Sequence, residues 1–115
     1  MKVLNFYSSV YHGNLLTRQK TCTIRMGDKR EKYAVGDLVW VAYGERFKPR
    51  RKVFAAVLDR VDLRTIAELS PADLAGENPD MRTTADAIAF LSRIYDRPIG
   101  LNDLATVIYF SEVQE

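Results

Sequence analysis

The chain has 115 residues, of which 47% are hydrophobic and 28% charged, a composition typical of one soluble globular domain over residues 1–115 and not of a disordered chain. No apolar run approaches the roughly 20 residues needed to cross a bilayer, and the N-terminus is too polar and aromatic for a signal peptide, so we expect a cytoplasmic protein with no membrane partner. The single cysteine, Cys22, and the single histidine, His12, exclude an internal disulfide and a Cys/His zinc site, and we expect no metal or cofactor.

The net charge of +2 is unevenly distributed along the chain. Residues 18–52 contain eleven cations and four acids, a local net charge of +7, whereas residues 53–115 carry −6. A local concentration of positive charge attracts an anionic partner even when the whole protein is nearly neutral. The basic segment therefore favours an anionic partner, and the alternative interpretation is a solvated loop.

Strands are predicted in five runs that are rich in β-branched or aromatic residues: 3–7, 21–25, 38–43, 53–61 and 105–110. Turn signals at Gly27-Asp28 and Gly36-Asp37 separate the earlier runs. A turn with room for a short helical turn is expected around His12-Gly13-Asn14. The basic loop 44–52 connects the third and fourth predicted strands.

Two helices are predicted between the fourth and fifth strands. Ser70 and Pro71 have the pattern of an N-cap and a first helical residue, and Gly76 is expected to end this short helix. Thr83 or Thr84 caps a longer helix. Its core face is predicted to consist of five residues: Ala87, Ile88, Leu91, Ile94 and Tyr95. The order of strands, helices and a returning strand predicts an α+β domain with a mixed β-barrel rather than a doubly wound sheet.

A motif within the basic segment resembles a known family signature. Residues 18–25 read RQKTCTIR, in which Lys20, Thr23 and Arg25 have the spacing K-x-x-T-x-R, and Gly36-Asp37 precedes the third strand. This arrangement resembles the signature of the ASCH family, and residues 107–110 are similar to the closing strand of that family. The resemblance implies a PUA-like mixed β-barrel with short flanking helices and a basic cleft that holds a nucleoside or RNA.

Within this family, the chain looks most similar to bacterial enzymes that hydrolyse N4-acetylcytidine to cytidine and acetate. The resemblance implies three catalytic residues, with Lys20 as the base, Thr23 as the nucleophile and Glu77 as the proton donor. Two features depart from the pattern. Arg18 replaces the usual glycine two places before the lysine, and extra residues occur around Pro79-Asp80 after the acid.

The residue types suit the chemistry of amide hydrolysis. A threonine hydroxyl becomes a good nucleophile when a base removes its proton, and Lys20 can be that base only in its neutral form, which requires a lowered pKa. Partial burial and the positive charge of Arg25 both act in that direction. Strand alternation places Thr21, Thr23 and Arg25 on one face and Cys22 on the other. Lys20 has the opposite parity, so it must lie in the turn before the strand to reach Thr23.

Other residues are predicted to hold the substrate or RNA. Arg25 and Thr21 share the predicted cleft, while Tyr33 and Phe47 lie beside charges and turns and are the candidates for stacking on a base. The cations that end the basic loop are predicted to contact phosphates: Arg50, Arg51 and Lys52. Cys22 is interpreted as a small buried hydrophobe rather than a reactive thiol.

Two other functions remain open at this point. A non-catalytic RNA-binding module of the same fold would use the basic segment for phosphate contacts and would prefer single-stranded RNA, whose bases are free to stack. A ribonuclease is the third possibility, and with one histidine it needs Lys20 and Glu77 as acid and base, or a metal. In each case the partner is a nucleoside or single-stranded RNA, and we expect a monomer.

Overall fold

The computed structural model describes residues 1–7, 9–45 and 47–114. In this part of the chain the strands are β1 (Lys2–Phe6), β2 (Cys22–Met26), β3 (Leu38–Tyr43), β4 (Arg51–Thr65) and β5 (Leu104–Glu112). The α-helices are α1 (His12–Leu16), α2 (Pro71–Glu77) and α3 (Thr84–Tyr95), and short 3-10 helices cover Ser9–Tyr11 and Ile66–Glu68. Of the helices in these described ranges, none has the length and apolarity that a membrane crossing requires.

The five strands of the described chain form one sheet in the order β1-β3-β4-β5-β2. β1 runs parallel to β3 and the other neighbouring pairs are antiparallel, so the sheet is mixed. It curls into a half-barrel flanked by the helices, which confirms the predicted α+β fold class. Because β1 and β2 are the two edges, the half-barrel stays open between them. The Arg25 side chain bridges this seam by donating a hydrogen bond to Asn5 O.

The core lies inside the curl of the sheet. Alternate residues of β3, among them Val39 and Val41, are fully buried, as the two-residue period of a half-buried strand requires. β1 buries Leu4 and Phe6 in the same way. These side chains form one continuous cluster with the inward faces of the other strands and of the helices.

The inward face of α3 differs from the prediction at its C-terminal end. Ala87 and Leu91 are buried as expected, but the third buried position is Phe90, while Ile94 and Tyr95 are 36% exposed. The last turn of the helix extends over the open seam instead of over the core. There the Tyr95 hydroxyl accepts a hydrogen bond from the backbone N–H of Met26, on the free edge of β2.

The predicted end of α2 at Gly76 is wrong, because the helix continues to Glu77. Its start is confirmed, with the Ser70 hydroxyl accepting from the backbone N–H of Asp73 and Pro71 in the first turn. Gly76 serves close packing instead of termination. A Cβ atom at this position would lie 2.9 Å from the Cys22 sulfur and 3.1 Å from the Thr21 hydroxyl. The glycine therefore lets α2 rest directly on β2, and Glu77 follows at the point of closest approach.

β4 is longer than the predicted run 53–61, since it extends from Arg51 to Thr65. It pairs with β3 over its first half and with β5 over most of its length, so the second half continues past the core as part of a two-stranded ribbon. The loop between β3 and β4 covers residues 44–50 and contains Lys48 and Arg50, whereas Arg51 and Lys52, predicted to end this loop, begin β4. Arg46, which belongs to this loop, lies outside the described residues.

Candidate active site

The seam between β1 and β2 opens into a cleft of about 580 Å³. One wall comes from β1, the other from β2, and α3 and the first 3-10 helix cover the ends. Its lining includes polar and aromatic side chains from all four elements: Asn5, Tyr11, Thr23, Arg25, Arg93 and Tyr95. Its volume lies within the range of about 300–1,000 Å³ that is usual for small-molecule sites.

Thr23 and Arg25 lie side by side in this cleft. The Thr23 side chain is almost fully buried, and its hydroxyl accepts a hydrogen bond of 2.9 Å from Arg25 Nε. The same guanidinium donates to Asn5 O across the seam at 3.0 Å and lies 4.8 Å from the centre of the Phe6 ring. Arg25 is therefore held in place at three points, with its charge directed at the Thr23 oxygen.

Lys20 and Glu77 form an ion pair whose two side chains are 0% exposed. Lys20 Nζ is 3.0 Å from Glu77 Oε2 and donates to the Glu77 backbone carbonyl at 2.6 Å. Glu77 Oε2 also accepts from the backbone N–H of Ile24, the residue after Thr23, at 2.6 Å. Glu77 Oε1 is buried without a hydrogen-bond partner in the described chain. The pair thus lies against the backbone of β2, beside Thr23, although neither member lines the cleft.

Lys20 occupies the turn that precedes β2, as its parity requires. Its backbone N–H donates to Asn14 O at 3.1 Å, and the next amide, of Thr21, donates to Gly76 O at 3.2 Å. Regular strand pairing begins only at Cys22. Because Lys20 precedes the alternation of the strand, its side chain turns inward towards Glu77 while Thr23 is directed into the cleft.

Arg18, at the position of the expected glycine, adopts the left-handed conformation with φ +63°. This conformation costs a non-glycine residue about 1–2 kcal/mol. The side chain makes compensating contacts, because the guanidinium donates to Leu15 O and Leu16 O at 3.0 Å each and pairs with Glu112. It also stacks on Phe54, 4.3 Å from the ring centre. The turn that directs Lys20 is therefore closed by the Arg18 side chain.

The surroundings of Lys20 change its proton affinity. Burial lowers the pKa of Lys20, the nearby Glu77 carboxylate acts in the opposite direction, and Arg25 adds to the lowering. The ammonium also lies 4.4 Å from the Tyr11 ring centre and 5.3 Å from that of Phe6. Burial and the Glu77 carboxylate raise the pKa of the Tyr11 hydroxyl far above its usual value, so Tyr11 stays protonated.

The predicted binding residues are not all brought to the cleft. Thr21 is exposed beside Gly76 and is not part of the cleft lining. Tyr33 is 3% exposed, and its hydroxyl donates to Val3 O, so its ring belongs to the core and is not offered at the surface. Phe47, in contrast, is 99% exposed on the basic loop. The three cations at the start of β4 are also exposed: Arg50, Arg51 and Lys52.

Sequence reasoning missed the cleft residues that come from outside the motif. Tyr11, Asn5 and Tyr95 have no characteristic spacing to Thr23, and only the curl of the sheet brings them together. An aromatic residue directly before a predicted helical turn, as Tyr11 is, gives no signal that separates a cleft position from a core position.

In residues 1–7, 9–45 and 47–114, no three His, Cys, Asp or Glu side chains lie close enough together to hold a metal ion.

No family model and no curated protein matches the chain. Among the solved structures that share its fold are the following two. The ASCH domain from Lactobacillus crispatus is 14% identical with a TM-score of 0.66, and the match covers 96% of this chain and 79% of that one. A protein from Enterococcus faecalis, of the family DUF984, is 13% identical with a TM-score of 0.69, covering 98% of this chain and 80% of that one. The chain therefore has the ASCH fold, and at these identities the likeness concerns the fold alone.

Proposed function

We propose that the protein hydrolyses the acetyl amide of N4-acetylcytidine to cytidine and acetate. One observation carries this proposal: Thr23 faces a cleft of nucleoside size while a fully buried Lys20–Glu77 pair lies against the adjoining backbone. A buried ion pair contributes little to stability compared with apolar packing, so its presence beside a hydroxyl in a cleft favours a chemical role.

In the first step Thr23 attacks the acetyl carbonyl carbon. Burial lowers the pKa of Lys20, which increases the neutral fraction that is able to take the Thr23 proton. Arg25 Nε, at 2.9 Å, donates to the Thr23 oxygen and stabilises the negative charge that develops on it as the proton leaves. When Lys20 is neutral, the proton of the pair is on Glu77, transferred along their 3.0 Å contact. The C–N bond then breaks, Glu77 supplies that proton for the departing cytidine amine, and water hydrolyses the acetyl-threonine ester.

The walls of the cleft fit a pyrimidine nucleoside. Aromatic rings of Tyr7 and Tyr95 provide apolar surface for the base, and the polar groups are few: Asn5, Thr23, Arg25 and Arg93. A site of mostly apolar lining with a few fixed polar groups is the usual design of a small-molecule site. The guanidinium of Arg25 is also able to donate a hydrogen bond to the acetyl oxygen when the tetrahedral intermediate forms.

The test is turnover of N4-acetylcytidine by purified wild type and by two Thr23 variants, followed by chromatography of cytidine. Thr23→Ser keeps a hydroxyl and is expected to retain turnover, whereas Thr23→Val keeps the shape and is expected to lose at least 10³-fold in kcat. The exposed Thr17 at the end of α1 provides a matched control, Thr17→Val, with wild-type rates. Turnover by Thr23→Val equal to that of wild type would rule out Thr23 as the nucleophile.

A second candidate function is binding of single-stranded RNA, and the position of the basic loop favours it. Gly44, where the loop begins, donates through its N–H to Phe6 O at 3.2 Å and accepts from Asn5 Nδ2 at 3.3 Å. Both partners line the cleft. The exposed loop cations and Phe47 therefore continue directly from one wall of the cleft, an arrangement suited to a strand whose base enters the cleft while its phosphates follow the loop.

A further inference from the structure

The proposed proton donor has no contact with the cleft. The side chains of Glu77 and Lys20 are 0% exposed, and neither residue belongs to the cleft lining. A departing amine in the cleft therefore receives no proton directly from Glu77. A third group that touches both the pair and the cleft is needed.

We propose that Tyr11 transfers the proton between Glu77 and the departing cytidine amine and is thus a further catalytic residue. This role rests on the proposed amide hydrolysis. Tyr11 lines the cleft, and its ring lies 4.4 Å from the ammonium of Lys20. It is 7% exposed and packs edge-on against Phe6 and Phe90, with ring centres 5.4 and 6.0 Å away. Tyr11 therefore lies between the buried pair and the cleft.

The state of Glu77 supports the same role. Its Oε2 atom is engaged by Lys20 and by the Ile24 amide, whereas Oε1 is buried with no hydrogen-bond partner in the described chain. A buried carboxylate oxygen without a partner is costly, so it indicates an atom with a use in the reaction. The Glu77 carboxylate also raises the pKa of the Tyr11 hydroxyl, which requires the two groups to be close.

The proton transfers balance over the acylation step. The starting pair is neutral Lys20 and protonated Glu77, related to the ion pair by transfer of one proton along the 3.0 Å contact. The Thr23 proton moves to Lys20 as the bond from Thr23 oxygen to the acetyl carbon forms. As the C–N bond breaks, Tyr11 gives its proton to the nitrogen and takes one from Glu77. The products are cytidine, acetyl-Thr23 and the Lys20–Glu77 ion pair.

Deacylation uses the same groups in reverse. Water gives a proton to Tyr11 as its oxygen bonds to the acetyl carbon, and Tyr11 passes its own proton to Glu77. Lys20 returns its proton to the Thr23 oxygen when the ester bond breaks. Acetic acid leaves and ionises in solvent, and the starting pair is restored. Because Tyr11 gives and takes a proton at the same time, its strong hold on that proton is compatible with the role.

The test compares Tyr11→Phe with wild type on two acetyl donors. Phenylalanine keeps the ring packing, so the variant should fold, and circular dichroism checks this. On N4-acetylcytidine we expect kcat to fall by about 10²-fold or more with KM changed little, the usual scale for loss of a general acid. On p-nitrophenyl acetate, whose leaving group departs as an anion without protonation, we expect the pre-steady-state burst of p-nitrophenolate, which reports acylation alone, to be retained. The slower release of acetate, which uses Tyr11 in deacylation, is expected to fall with both substrates. Tyr43→Phe, a half-buried tyrosine beside His12, is the control variant.

The possible outcomes distinguish the transfer of the proton through Tyr11, here called the relay, from the proposed hydrolysis. Turnover of N4-acetylcytidine by wild type but not by Tyr11→Phe, with the p-nitrophenolate burst from the ester retained in the variant, supports the relay. Equal amide turnover by both proteins would overturn the relay and leave the hydrolysis standing. Equal losses in amide turnover and in the p-nitrophenolate burst would overturn the relay and mean that the ring hydroxyl has only a structural role. Absence of amide turnover in wild type would overturn the proposed function and the relay with it.

Discussion

Replacing Lys20 by methionine removes one member of a sealed ion pair while keeping an unbranched side chain of similar length. In the variant the Glu77 carboxylate stays fully buried and retains its bond to the Ile24 amide, but it loses its counter-ion at 3.0 Å. A buried carboxylate without a cation either keeps an uncompensated charge or takes up a proton, and both alternatives destabilise the native state at neutral pH.

The size of this effect follows from the burial of both partners. Breaking a buried pair by removing one member costs about 3–5 kcal/mol, and we expect the same range for Lys20→Met and for Glu77→Gln. For a chain of 115 residues, an unfolding entropy of about 2 cal/mol/K per residue converts that loss into a fall in Tm of about 13–22 °C. The double variant carries neither charge, so its loss should be well below the sum of the two single losses.

Thermal and urea unfolding of the four proteins give the coupling energy directly. We expect the Lys20 and Glu77 changes to be strongly non-additive, with a coupling of about 2 kcal/mol or more. The exposed pair of Lys48 and Glu45, 2.8 Å apart with both side chains about 70% exposed, gives the control, and Lys48→Met should leave Tm unchanged. Single-variant losses below about 1 kcal/mol that simply add would refute the interaction of Lys20 and Glu77 as a fully buried ion pair.

Three further predictions concern packing, reactivity and the basic loop. Gly76→Ala should lower stability and turnover, because its Cβ would lie 2.9 Å from the Cys22 sulfur and force α2 and Glu77 away from β2. The control Gly13→Ala, whose Cβ would have no atom within 4 Å, should be neutral or stabilising. Thermal unfolding that ranks the two variants the other way would be inconsistent with the close packing of α2. Burial raises the pKa of the Cys22 thiol to about 12, so native protein should react with Ellman's reagent at pH 8 far more slowly than urea-unfolded protein, and rapid labelling of the native state would contradict the burial. Neutralising the three loop cations together should weaken single-stranded RNA binding and leave N4-acetylcytidine turnover intact. The slope of log affinity against log salt concentration should fall in magnitude by about 2, and an unchanged slope would exclude phosphate contacts at these residues. These cations are Arg50, Arg51 and Lys52.

The strands could be predicted where hydrophobic alternation and turn residues act locally. β3, from Leu38 to Tyr43, follows from its apolar run after Gly36-Asp37, and the start of α2 follows from the Ser70-Pro71 pair. The parity of Lys20 relative to Thr23 also predicts the place of Lys20 in the turn before β2, because the alternation of a strand is a local property. In each case the decisive interactions lie within a few residues along the chain.

The remaining features depend on contacts between distant segments. The predicted end of α2 is wrong because Gly76 allows the close approach of α2 to β2 and does not end the helix. Phe90 replaces Ile94 and Tyr95 in the core because the last turn of α3 extends over the seam, whose position depends on the curl of the whole sheet. Tyr11 enters the cleft for the same reason. Local propensity and spacing contain no information about such a curl.

The most direct measurement of the central claim is the time course of N4-acetylcytidine incubated with wild type and with Lys20→Met, with cytidine and acetate quantified together. We expect equal amounts of both products from wild type and none above background from the variant, at a temperature where both proteins are folded. Wild-type turnover that persists in Lys20→Met would contradict the assignment of the base, and a folded wild type that leaves N4-acetylcytidine intact would contradict the proposed activity itself.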